Sequence, residues 1–191
     1  QLTQQQKEEA IWLSQHFREF VKAAWTQLEP LNVFMHNWHI DAIANHLEAI
    51  SKSEIRRLQI LVPPGSMKSR LVSVLWPAWE WTHSPGMKYW TGSYDIRLSK
   101  ELASYSRNLM RTNWYQDRWG HMFTFEKTME EWYTNDQGGH RLSTSPDSSG
   151  LGVHGHRIII DDGVSAGDAG AVTMSMLERA NMWYSDTMSG R

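Results

Sequence analysis

The chain of 191 residues is long enough for one domain with a substantial hydrophobic core. Its 19 basic and 21 acidic side chains nearly balance, which argues against a strongly basic nucleic-acid-binding surface but leaves room for a local patch. Cysteine is absent, so disulfides and thiolate metal sites are excluded, and no apolar run approaches the roughly 20 residues of a membrane-spanning helix. The N-terminal residues lack the basic and apolar regions of a signal peptide, so we expect a soluble, non-secreted chain.

Helices are predicted at the start of the chain. Residues 3–28 place apolar side chains along one helical stripe, and Thr3 with Gln6 can form a capping box. A second amphipathic helix is predicted over about residues 37–50. We therefore expect an N-terminal helical segment, residues 1–57, packed on the rest of the protein.

The most informative stretch is residues 58–70, Leu-Gln-Ile-Leu-Val-Pro-Pro-Gly-Ser-Met-Lys-Ser-Arg. An apolar run of strand length ends at two prolines, and a glycine turn leads to Lys68, Ser69 and an apolar helical pattern. This arrangement is typical of loops that hold nucleotide phosphates on backbone N–H groups at a helix N-terminus. Against the pattern G-x-x-x-x-G-K-[ST], Val62 and Met67 stand where glycines are expected. An ordinary strand-to-helix turn with a surface lysine is the alternative.

Strand and helix signals then alternate. A strand is predicted over residues 87–93, and a helix opens at about residue 94. Residues 113–125 look irregular and aromatic. A hairpin is predicted around the glycine-rich turn 135–139, followed by a loop over residues 145–155.

A second functional signal lies at residues 157–162, Arg-Ile-Ile-Ile-Asp-Asp. The isoleucines predict a strand buried on both faces, as in a parallel sheet. Asp161 and Asp162 follow its carboxyl end, where ligands gather in α/β sheets, so Asp161 could bind Mg²⁺ and Asp162 could orient and deprotonate water. A polar strand end before a glycine turn is the alternative. A helix is predicted over about residues 171–185.

Together these signals predict an α/β fold. We expect a P-loop nucleoside triphosphatase of the ASCE type over residues 58–191, with a mostly parallel central sheet flanked by helices. Only about three parallel strands and a hairpin can be placed, so we expect a fragment of a longer protein.

The chain resembles the N-terminal ATPase domain of the large terminase subunit of tailed bacteriophages. Residues 61–69 are similar to a variant Walker A loop of that family, in which Pro-Pro precedes the turn and Met-Lys-Ser replaces Gly-Lys-Ser. Residues 158–162 look like its aspartate pair. Other residues that resemble the family are 75–81, 92–95 with 98 and 106–107, 143–145 with 150–152 and 154–155, and 178–179 with 183–191.

The resemblance implies a motor subunit that hydrolyses ATP with Mg²⁺ to move double-stranded DNA into a procapsid, in the host cytoplasm during phage assembly. The implied partners are the portal protein, the small terminase subunit and copies of the chain in a pentamer, with no membrane. The nuclease domain of the family would lie beyond residue 191, so no nuclease activity is expected.

Individual roles follow from the same resemblance. Lys68 would offset charge on the β- and γ-phosphates, and Ser69 with Asp161 would hold Mg²⁺. Asp162 would position the attacking water, although it is one methylene shorter than the usual glutamate. The residues expected to bind the nucleotide are Trp38, His39, Pro64, Gly65, Ser66, Met67, Lys68, Ser69 and Arg70.

An arginine finger raises the rate by about 10³–10⁵ in related enzymes. Arg107 is the preferred candidate, supplied to a neighbouring subunit, and Arg97 and Arg70 are alternatives; a solvated arginine is the competing interpretation of each. Trp38 could stack on the adenine or could be a buried aromatic residue at a helix start.

The chain departs from the family at several positions. Gly163 replaces the proline that usually follows the aspartates, and Pro64 and Gly65 lie where many members carry a loop arginine. Met67 and Asp162 are compatible with a nucleotide-binding module that has little turnover. Another P-loop translocase, similar to a helicase, is the third function left open.

Overall fold

The computed structural model describes residues 2–146, 154–164 and 172–185. It divides into two compact units, of which the first comprises Gln1–Pro85 and Ser104–Thr124 and the second Gly86–Ala103 and Phe125–Arg191. The first unit contains the predicted phosphate loop, and the second contains all strands of the described sheet. None of the helices in the described ranges has the length and apolar character needed to cross a membrane.

The first unit is built from helices. In chain order these are α1 (Gln4–Gln15), α2 (Phe17–Leu28), α3 (Trp38–Ser51), a π-helical segment (Arg70–Leu75), α4 (Trp76–Glu80), the end of α5 (Ile96–Arg111) and α6 (Asn113–Trp119). The predicted capping box of Thr3 and Gln6 is confirmed. The single helix predicted over residues 3–28 is wrong in one respect, because His16 is extended (φ −129°, ψ 96°) and separates α1 from α2. The helix predicted over residues 37–50 is confirmed as α3.

The apolar faces of these helices form the core of the first unit. The residues of the predicted stripes that lie in this core are fully or almost fully buried and include Leu13, Phe17, Phe20, Ile40, Leu47, Leu71 and Leu75. The indole Nε1 of Trp79 donates to the carbonyl oxygen of Leu13 (2.9 Å), and the Tyr115 hydroxyl donates to that of Ala78 (2.8 Å). The irregular structure predicted after residue 113 is wrong, because α6 begins there, capped by the side chain of Thr112.

The second unit holds a sheet of five strands. They are β1 (Lys88–Gly92), β2 (Phe125–Thr128), β3 (Trp132–Asn135), β4 (His140–Thr144) and β5 (Arg157–Ile160), in the spatial order β2-β3-β4-β1-β5. β1 pairs in parallel with β4 and β5, while β3 pairs antiparallel with β2 and β4. The mostly parallel sheet was therefore a wrong prediction. The hairpin, which was predicted and is confirmed, makes one of the two antiparallel pairings.

The two remaining strand predictions need correction. Residues 58–62 belong to none of the five strands and carry no regular secondary structure. Their apolar composition does not by itself supply a pairing partner, and Leu61 is 84% exposed. β5 is confirmed as a parallel strand, but it lies at the edge of the described sheet and is not buried on both faces. Ile159 is buried, whereas Ile158 and Ile160 are 38% and 39% exposed.

α7 (Met174–Trp183) completes the second unit and confirms the described part of the last predicted helix. The indole of Trp183 packs on Trp90 and Leu142, with Trp132 against the same cluster. Most of the loop predicted over residues 145–155 falls outside the described residues.

A buried histidine at the start of β4 predicts acid sensitivity. Burial, together with the neighbouring Lys88 and His156, lowers the pKa of His140 to about 4. The unfolded chain binds a proton as the pH falls below about 6.5, while the folded chain does not, so stability declines between about pH 6.5 and pH 4. We expect this histidine to account for a loss of at most about 3 kcal/mol over that range.

Urea unfolding at several pH values measures the effect. His140→Phe keeps a ring against Trp132 and should remove the contribution of this histidine, whereas His121→Gln, at an exposed position, should leave the pH profile unchanged. Burial also lowers the pKa of His83, so the His140→Phe variant should keep a smaller loss of stability towards acid pH. An unaltered profile in His140→Phe would contradict the assignment.

Candidate functional site: a loop before a helix and an aspartate pair after a strand

The loop of the first unit has the backbone conformation of a glycine-rich turn. Gly65 and Met67 both have positive φ, 79° and 63°, in the left-handed region. Glycine enters that region without steric cost, whereas a longer side chain is strained there. Met67 stands in the place of the second glycine of the G-x-x-x-x-G-K-[ST] pattern. It therefore adopts there the left-handed conformation that glycine would adopt without strain.

A helix begins immediately after this turn. Lys68 and Ser69 open the helical segment, and the amide of Leu71 donates to the carbonyl oxygen of Met67 (2.9 Å). Both residues are half-buried, while Pro63, Pro64 and Gly65 are exposed. The first turn of an α-helix carries backbone N–H groups that have no partner within the helix, so this loop places lysine and serine at a potential anion site.

The start of α3 contacts the same loop. The Nε2 atom of His39 lies 3.2 Å from the carbonyl oxygen of Ser66. Trp38, the preceding residue, is 76% exposed, and its ring meets that of His39 edge-on at 6.2 Å. The alternative of a buried Trp38 is therefore wrong, and an exposed indole stands one residue from a side chain that contacts the loop.

Arg70 is engaged by side chains of the first unit. Its Nη2 atom lies 3.0 Å from a carboxylate oxygen of Glu29, and its guanidinium stacks over the Tyr105 ring at 3.8 Å. The same glutamate accepts a hydrogen bond from the side-chain amide of Asn32. The Arg70 side chain thus links the helix after the loop to the end of α2 and to α5.

In the second unit, the aspartate pair lies where two parallel strands end. The amide of Asp161 donates to the carbonyl oxygen of Gly92, and the amide of Tyr94 donates to that of Asp162, both at 2.9 Å. Asp161 is 9% exposed, while Asp162 is exposed and has a positive φ of 51°. The amide of Ser93 donates to the carbonyl oxygen of Thr144, so β4 ends in the same place. Ligands of open α/β sheets bind at this edge.

The candidate arginines differ in accessibility. The Arg97 side chain is 87% exposed at the start of α5 and pairs with Asp95 at 2.6 Å. This hydrogen bond lowers the pKa of Asp95 and raises that of Arg97. Arg107 is half-buried further along α5, with its Nε atom enclosed. Arg97 is therefore more open to a neighbouring molecule than Arg107.

The site residues fall into two groups. Lys68 and Ser69 belong to the first unit, and Asp161 and Asp162 to the second. Within the described ranges, no three acidic or histidine residues are grouped closely enough to hold a metal ion.

Sequence reasoning missed a buried polar network in the second unit, centred on Arg141 and Thr91. Residues two apart in a strand share one face, so the sequence of β4 already places Arg141 and Ser143 on the same face.

Comparisons with protein-family profiles, curated proteins and solved structures gave no match. Function is therefore inferred from the residues and their geometry, together with the resemblance stated above.

Proposed function

We propose that the chain is a Mg²⁺-dependent ATPase of the P-loop class. The observation that carries the proposal is the loop before Lys68. Met67 takes a left-handed conformation (φ 63°) in the glycine position of the pattern, directly before a helix that opens with Lys68 and Ser69. An ordinary surface turn has no need to hold a methionine in a strained conformation at that position.

The proposed chemistry is phosphoryl transfer to water. Lys68 and the loop N–H groups offset charge on the β- and γ-phosphates, and Ser69 contributes a hydroxyl to Mg²⁺. Asp161, held by its amide to Gly92, supplies the carboxylate for the metal. Asp162 orients the attacking water from an exposed position.

The nucleotide base is proposed to lie against the start of α3. Trp38 offers an exposed indole face, and His39 is bonded to the loop that holds the phosphates. Stacking on an aromatic ring contributes about 1–3 kcal/mol per base in proteins that bind single-stranded nucleic acids. The loop residues Pro64, Gly65, Ser66 and the half-buried Arg70 complete the proposed nucleotide site.

The biological role that we propose is that of a terminase motor domain, which packages double-stranded DNA into a procapsid in the host cytoplasm. This role rests on the resemblance to the large terminase subunit. On the same ground we propose the portal protein, the small terminase subunit and four further copies of the chain as partners. Arg107 is the proposed finger for a neighbouring subunit, and Arg97 is the alternative that its exposure favours.

Hydrolysis and binding assays test the proposal. The purified chain should bind ATP and hydrolyse it slowly in the presence of Mg²⁺, and turnover should rise on adding procapsids that carry the portal. Stimulation by single-stranded DNA in place of procapsids would instead indicate a helicase-like translocase. Binding without turnover under every condition would indicate a nucleotide-binding module, and the absence of binding would overturn the proposal.

A further inference from the structure

A buried arginine lies at the centre of the sheet in the second unit. Arg141 stands in β4 opposite Tyr89 of β1 and Tyr133 of β3, and it is 1% exposed. Burial lowers the pKa of Arg141, and the two tyrosines offset this shift only in part. An ionised group inside a protein is costly unless its hydrogen bonds hold it, so its presence calls for a structural or functional reason.

Arg141 is hydrogen-bonded to Thr91, which lies near the end of β1. The Nε atom of Arg141 donates to the Thr91 hydroxyl (3.4 Å), which in turn donates to the carbonyl oxygen of Leu142 (3.2 Å). The Ser99 hydroxyl of α5 donates to the Thr91 carbonyl oxygen (2.8 Å). Both the side chain and the carbonyl of Thr91 are thus held, from β4 and from α5.

A further bond closes the network. The Ser143 hydroxyl donates to the Ser99 carbonyl oxygen at 3.3 Å, which ties β4 to α5 directly. Thr91, Ser99, Arg141 and Ser143 are all at most 5% exposed. Because water does not compete for these groups, each bond constrains the positions of β1, β4 and α5 relative to one another.

The backbone that follows Thr91 bonds to both aspartates. Gly92 accepts the amide of Asp161, and Tyr94, two residues further, donates to Asp162. A shift of Thr91 therefore moves the groups to which both aspartates are bonded. We infer that Arg141 is a positioning residue that acts through Thr91 to fix the strand ends at which Asp161 and Asp162 lie. This inference rests on the proposed function, since positioning matters for catalysis only if these aspartates act on nucleotide.

An apolar side chain of similar volume could fill the space of Arg141. It could not donate to Thr91, so the hydrogen bond that the guanidinium makes there would be lost. Replacing such a residue therefore affects position more than packing. Residues that orient metal ligands from behind typically change activity or metal affinity by about 10–100-fold when replaced.

Paired variants of Thr91 test the inference with little change of shape. Thr91→Val removes the hydroxyl and keeps the branched side chain, whereas Thr91→Ser keeps the hydroxyl. We expect Thr91→Val to lower kcat for ATP hydrolysis by about tenfold or more with an unchanged KM, and Thr91→Ser to retain most of the rate. Arg141→Met should lower kcat similarly, and combining it with Thr91→Val should add little.

Amide hydrogen exchange gives a readout that does not depend on turnover. Exchange at Tyr94 and Asp161 should become faster in Thr91→Val and Arg141→Met and remain slow in Thr91→Ser. If the parent chain shows no hydrolysis, the proposed ATPase function fails, and the exchange measurement alone decides the positioning role. Unchanged exchange in Thr91→Val would overturn the inference, as would a fall in kcat matched by Thr91→Ser.

Discussion

Replacing Lys68 with alanine is expected to lower the rate of ATP hydrolysis by about 10²–10³-fold, the usual effect of removing one group that stabilises charge in a transition state. The ammonium group is proposed to neutralise charge that builds on the phosphates as the γ-phosphoryl group is transferred. Because that charge is greatest in the transition state, the loss should appear mainly in kcat. Steady-state hydrolysis over a range of ATP concentrations separates kcat from KM.

Lys52→Ala provides the matched control. Lys52 caps α3 in the same unit, its side chain is 56% exposed, and its partner Glu48 lies 3.5 Å away. It changes the net charge as Lys68→Ala does, without touching the loop, so its rate should equal that of the parent chain. Equal rates in both variants would show that Lys68 has no catalytic role, and the loop would then be an ordinary turn.

Asp161→Asn should have an effect of similar size, with a different signature. The amide keeps the shape of the side chain but loses the charge that Mg²⁺ requires, so raising the Mg²⁺ concentration should recover part of the rate. No such recovery is expected for Lys68→Ala. This contrast separates the metal ligand from the phosphate ligand within one set of measurements.

Local signals in the sequence predicted local structure well. The capping box of Thr3 and Gln6 and the hairpin turn at Asn135–Gly139 involve residues a few positions apart, so their chemistry is complete within a short window. The helix break at His16 has no such signature, because no proline or glycine stands there. α6 was missed since seven residues carry too little periodicity to distinguish a helix from an aromatic loop.

Predictions that depend on distant partners were weaker. The apolar run 58–62 has strand composition, yet its composition does not specify which strand it would pair with. The isoleucines of β5 indicated a strand correctly, but only the order of the strands reveals that β5 lies at the edge of the described sheet. Burial of a strand is a property of its neighbours, which the sequence of the strand does not contain.

In the candidate site, too, some features are recognisable from a short stretch of sequence and others depend on the fold. Lys68 and Ser69 stand out as candidates because the phosphate-loop pattern is made of residues close together in the sequence. The left-handed conformation of Met67 cannot be read from a methionine, which ordinarily avoids it. The Arg141–Thr91 contact joins residues 50 positions apart and became visible only once β1 and β4 were paired.

Gly92→Ala is expected to destabilise the second unit by about 3–5 kcal/mol, the cost of losing a buried aromatic side chain. A Cβ atom at this position would stand 2.3 Å from the Trp183 ring and 3.5 Å from the Thr144 side chain. The indole packs against Trp90 and Leu142 and cannot yield that much space within its cluster, so α7 would have to leave its place.

Urea unfolding measures the loss of free energy, and the Trp183→Ala background supplies the control. With the indole absent, the added methyl group has room, so Gly92→Ala should cost less than about 1 kcal/mol there. Equal costs in both backgrounds would show that the close approach of Gly92 and Trp183 does not determine the glycine.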